Sequence, residues 1–162
     1  MHLSRAAHTL AVASAFALLA ACSRTVVDSQ TGATATIGSN GTTMHVESSE
    51  GSFTAGATTL PADWPSDAPV YPGATITYTA SANPTTGKPG NAIVFTTTDG
   101  TQQVVAYYKT ALKQNGWAIN TTMDGGATFV MGGTKEGRGL SLMIAGTDGQ
   151  TSVTLAIEQS GQ

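Results

Sequence analysis

The chain holds one thiol, Cys22, directly after Leu19-Ala20-Ala21. Small residues at 20 and 21 fit a narrow peptidase cleft, and a cysteine sulfur is a nucleophile that can accept a diacylglyceryl group. Because Cys22 has no cysteine partner, an internal disulfide is impossible, and an unmodified exported thiol would be a reactive liability. Other chemistry is sparse. Of three histidines, His2 and His8 precede Cys22, which leaves His45 alone, on the outward side of its strand. A histidine metal cluster or a Ser/His/Asp triad then lacks partners. There is also no Gly-x-Ser-x-Gly elbow and no phosphate-binding Gly-rich loop. Asp99, Asp124 and Asp148 precede glycines, where turn hydrogen bonding explains them. Asp63 and Asp67 flank prolines, Glu136 and Arg138 share a loop, and Glu158 points outward on a strand. Two carboxylates meeting across space would make a glycosidase-like site, but nothing in the spacing points to one. No catalytic residue, metal or cofactor is expected.

Leu10 to Ala21 is an apolar run broken only by Ser14, behind a weakly cationic start. It is too short for a bilayer span, which takes ~20 residues, and has the length of a signal-peptide core. The segment resembles a bacterial lipoprotein signal with its lipobox. That resemblance implies removal of residues 1–21 and acylation of Cys22, with palmitate-type chains. The competing reading is a plain secretory signal that happens to contain Cys22. Two or three acyl chains, at ~0.8 kcal/mol per buried CH₂, hold a protein stably on a membrane. Ser23 rather than Asp after the cysteine implies, by the same resemblance, the outer membrane facing the periplasm if the source is Gram-negative.

Residues 25 onward repeat every nine: Thr25, Thr34, Thr43 and Ser52 fall in register, as do Val26, Ala35, Met44 and Phe53. Each row alternates and then turns at Gly, Ser or Asn, which predicts three or four short strands. A calcium-binding β-roll would need an Asp in each coil, and only Asp28 is available. The segment 22–59 is thus expected as a lean β-repeat or stalk. Residues 60–73 carry prolines at 61, 65, 69 and 72. Their fixed φ and missing N–H predict an extended strap over a surface. Trp64 and Tyr71 make the strap a candidate recognition site, since proline-rich extended segments are preorganised ligands; alternatively both aromatics pin it to the domain.

From Ala74 the pattern has period two, as in Ile76, Tyr78 and Ala80, then Ile93, Phe95 and Thr97. Residues 101–115 switch to period 3.6, with Val104, Tyr108, Ala111 and Leu112 on one stripe and Gln103, Ala106, Lys109, Thr110 and Lys113 facing away. Asp99 or Thr101 can cap the start, while Gly116 suits the left-handed terminating position and Trp117 the apolar contact after it. Four strands are expected beyond, the last two led by Leu140, Leu142, Ile144 and by Val153, Leu155, Ile157. The expected fold class is α+β: a ββαββββ antiparallel sheet with one amphipathic helix on one face, over residues 60–162, preceded by the short-strand repeat.

Pro69-Val-Tyr-Pro-Gly-Ala74, Val104, Tyr107-Tyr-Lys109, Leu112, Gly116-Trp117 and Asp148-Gly149 resemble a family of small, uncharacterised bacterial envelope lipoproteins. The likeness implies no activity. Charged residues make up 10% of the chain at net charge −3, and the six cations after residue 22 are scattered, so nothing follows a phosphate backbone and nucleic acid is excluded. The leading expectation is a noncatalytic, lipid-anchored envelope protein, an interaction or structural module that contacts the membrane through its anchor and has an envelope protein as its candidate partner. The alternative is an envelope enzyme or a carrier of a small apolar ligand between helix and sheet.

Overall fold

The computed structural model describes residues 23–27, 32–39, 42–49, 51–56, 59–82, 89–147 and 149–159. Four short strands come first: β1 (Arg24–Val27), β2 (Thr34–Ile37), β3 (Met44–Ser48) and β4 (Gly51–Ala55). After the strap come β5 (Thr75–Ala82), β6 (Pro89–Thr97), the helix α1 (Thr101–Gln114), then β7 (Ala118–Asp124), β8 (Thr128–Lys135), β9 (Arg138–Thr147) and β10 (Gln150–Glu158). All ten strands join in one antiparallel sheet, ordered β1-β2-β3-β4-β5-β6-β10-β9-β8-β7.

This corrects the expected α+β class, in which a helix-and-sheet domain followed a separate repeat. The sheet dominates, with one helix of 14 residues on it. The correction has a local cause: β4 hydrogen-bonds to β5, pairing Phe53 with Ala80, Thr54 with Thr79 and Ala55 with Tyr78. The repeat therefore supplies four of the ten strands. The nine-residue register also gives way. The cross-strand row runs Val26, Ala35, Val46, Phe53, with Met44 displaced to face Ile37 and Ala55. In an antiparallel meander the turn lengths set the register, and these turns differ in length.

The core lies between α1 and the sheet. Val104, Tyr108 and Leu112 are fully buried against Ile93, Phe95, Leu142, Ile144, Val153 and Leu155. Each such side chain stabilises the fold by ~1.5–3 kcal/mol through burial. Gln103, Ala106, Lys109, Thr110 and Lys113 face water.

The helix ends differ from each other. The N-cap is Gly100, with no side-chain cap, rather than Asp99 or Thr101. Asp99 instead accepts hydrogen bonds from Tyr71 Oη–H at 2.6 Å and Gln103 Nε2–H at 3.0 Å. At the other end Gly116 takes φ +82°, its N–H reaches Lys113 O and the Trp117 N–H reaches Leu112 O, the Schellman closure. The loop expected to hold Glu136 and Arg138 is instead a two-residue hairpin turn, with Lys135 opposite Arg138 in the strands. Glu136 and Gly137 both have positive φ, as a type I′ turn requires.

Candidate ligand groove beside the helix

Cys22 lies outside the described residues. Trp64 and Tyr71 are placed with the core. Trp64, half-buried, donates its indole N–H to the Ala68 carbonyl at 2.8 Å, and Tyr71 is buried and bonded to Asp99. The bond to the Asp99 carboxylate, then burial, raises the Tyr71 pKa above its usual value.

The strap is fastened along its length. Tyr107 and Tyr108 donate to the carbonyls of Val70 and Pro69, and Trp117 Nε1–H donates to Asp67 O. Burial pushes the Tyr108 phenol far above its usual range, so it stays a neutral donor. Asn91 Nδ2–H donates to Asp63. At Asp67, Arg138 binds bidentately, NH1 to Oδ1 at 3.1 Å and NH2 to Oδ2 at 2.6 Å, and Lys135 Nζ adds a contact at 2.6 Å. The Arg138 hydrogen bonds, together with Lys135, outweigh burial and hold the Asp67 pKa down to about 2. Arg138 also lies over the Trp117 ring at 5.2 Å. The sequence did not bring out this group, because Asp67 is separated by 68 and 71 residues from its partners.

Between helix and sheet, Tyr108, Leu112 and their neighbours form the buried core. Open space lies at the helix flank. There Thr101, Gln102, Val105, Ala106 and Lys109 face Asp124, Gly126 and Phe129 across a groove of about 440 Å³. Its volume falls within the ~300–1,000 Å³ of small-molecule sites. Phe129 forms its apolar floor, with the Lys109 ammonium 5.0 Å from the ring centroid, a cation–π contact. Asp124 is held at the far rim, its Oδ1 accepting the Gly126 N–H at 2.9 Å. One cation, an apolar floor and the Gln102 amide can take an acidic head and a short apolar body. The pairing of Lys109 with Phe129 was not legible in the sequence, where Lys109 reads only as a solvated helix residue.

Among the described residues no group of three or more His, Cys, Asp or Glu could hold a metal ion, and no helix is long and apolar enough to cross a membrane. His45 Nδ1 pairs with Thr54 Oγ1 at 2.8 Å. A second hollow, about 430 Å³, lies between the repeat strands and the strap, lined mainly by Thr and Ser with Asp63. It has no aromatic floor.

No curated protein and no solved structure matches the chain. A family model does: the one described as START domain-like aligns with residues 76–161, just over half the chain. The matched stretch begins in β5 and takes in β6, the helix, β7 to β10 and every residue lining the flank groove, while the strap and repeat strands lie before it. The chain belongs to the START domain-like family.

Proposed function

We propose that this chain is a noncatalytic, lipid-anchored envelope protein whose folded part binds a small amphipathic ligand in the groove between α1 and the β7–β8 turn. The groove carries the reading: a buried Phe129 floor beneath an exposed Lys109 ammonium suits an apolar body with an anionic head. Family membership supports it, since a START domain-like chain is a candidate ligand-binding domain. The anchor rests on Leu19-Ala-Ala-Cys22, which would set the domain at a membrane surface, where amphipathic molecules concentrate.

The test is a titration with anilinonaphthalene sulfonate, which joins fused apolar rings to an anionic group. Lys109→Glu is expected to weaken binding by about tenfold, equivalent to ~1.4 kcal/mol. Ala106→Trp, at an exposed helix position, fills the groove and abolishes binding. Unchanged binding by a folded Ala106→Trp variant would remove the groove from the function. Mass spectrometry of the native protein examines the anchor separately, and an unmodified amino-terminal peptide containing Cys22 would refute it.

A further inference from the structure

Strand alternation sends one set of side chains toward α1 and the other set away from it. On the away-facing side, β1 to β10 carry two apolar rows that cross the sheet. One is a ridge: Met44, Tyr78, Val94, Met143, Val130 and Met123 follow in register, linked through Ala55 and Thr154. Met123 is 65% exposed and Met143 45%. The other row, two residues along each strand, is one of small residues over the central strands: Ala80, Ala92 and Ala156, buried with Phe53 and Tyr78 packed on them, then Ser141 and Gly132. Toward β1 it continues as Phe53, Val46, Ala35 and Val26. The charged residues among the described strand positions of this face are Arg24 and Glu158, both at strand ends.

In the first four strands the helix-side face is polar. Thr25, Thr36, His45 and Thr54 form a ladder, with Thr25 and Thr36 hydroxyls 3.2 Å apart. Water suits that side, so the only apolar face these strands have is the side of the two rows. Short hairpins without a buried face are marginal.

We infer that this face packs against the same face of a second copy of the chain, sheet on sheet. The register argues for self-association. A two-fold axis running along the rows, between the two, sets Met143 of each copy over Ser141 of the other. Exposed Met143 then stands over exposed Ser141, and every contact occurs twice, as an isologous interface requires. The size is right as well. Ten strands at ~4.8 Å spacing and two rows ~7 Å apart give a strip of about 600 Å², near the ~800 Å² per partner of a stable interface once flanking residues are counted. Depletion of charge with methionine and aromatic enrichment is the composition of an interface core. A bilayer surface fits less well, because the one lysine or arginine among the described residues of the strip is Arg24, at its β1 edge, and the rest of the strip has no cation to meet headgroups.

Sedimentation equilibrium of the full chain over a wide concentration range tests this. The wild type and a control, Leu60→Glu, at an exposed site outside the strands, should be dimeric. Met143→Glu and Ser141→Arg, both at exposed positions, should weaken dimerisation by about 100-fold or more. Either variant alone suffices, provided its melting is cooperative. A monomeric wild type, or a folded variant with unchanged dimerisation, overturns the inference. So does a monomer that binds neutral phosphatidylcholine vesicles through this face. The ligand groove lies on the helix side, so neither result bears on it.

Discussion

Asp67 offers a quantitative test of how the strap is held. Its carboxylate takes two bonds from Arg138 and one from Lys135, and its pKa falls from 3.8 to about 2. At ~1.36 kcal/mol per pKa unit, the shift corresponds to ~2.4 kcal/mol of stability. The three side chains are 19–24% exposed, so solvent screening reduces this to about 1–2 kcal/mol. A carboxylate with a depressed folded pKa binds fewer protons in the native than in the unfolded state. Its contribution is therefore full above the unfolded value of 3.8 and disappears as pH falls toward about 2. Asp67→Asn should cost at least that 1–2 kcal/mol at neutral pH, because Lys135 and Arg138 lose their counter-charge. The assay is urea unfolding of wild type and Asp67→Asn across the acid range. Their difference should shrink between about pH 4 and about pH 2, where wild-type Asp67 becomes protonated. A difference independent of pH, or below ~0.5 kcal/mol at neutral pH, a size ordinary surface changes show, would refute the assignment.

Two further outcomes follow from the packing. Leu112 has no exposed surface, so Leu112→Ala should cost ~2–5 kcal/mol in chemical denaturation, as cavity-forming changes do. Among the described residues Glu136 is the non-glycine residue with positive φ, at +50°, at the first position of the β8–β9 turn. Asn tolerates that region and precedes glycine in type I′ turns, so Glu136→Asn should raise the melting temperature, by roughly 0.5–1 kcal/mol of stability.

What the sequence made legible is what neighbouring residues decide. The stripe Val104, Tyr108, Ala111, Leu112 is a period that one helix must bury, and these are its buried residues. Gly116-Trp117 closes that helix by local hydrogen bonds. The alternation of Leu140, Leu142, Ile144 and of Val153, Leu155, Ile157 marks strands whose inner faces need a cover. The fold departs from the α+β expectation where the decision is not local. Ala55 and Tyr78 pair across the whole proline strap, and nothing in either segment's period announces that edge. The same holds for the centre of the sheet, where β6 lies beside β10 although α1 and three strands intervene.

The site residues divide on the same line. Trp64 and Tyr71 stand out in a sequence because they are aromatic, yet an aromatic with a polar tip serves equally to fasten a segment, and both are hydrogen-bonded into the domain. Lys109 and Phe129 do not stand out together in the sequence, being a helix cation and a strand aromatic 20 positions apart. They acquire a joint role only when α1 crosses the β7–β8 end of the sheet and sets an ammonium over a ring beside open space. The two apolar rows have a similar origin. Met123, Met143 and Met44 are scattered along the chain, and antiparallel register alone gathers them onto one face. A binding surface assembled from single residues of many strands leaves little periodic trace, because each strand spends its pattern on the side that faces the helix.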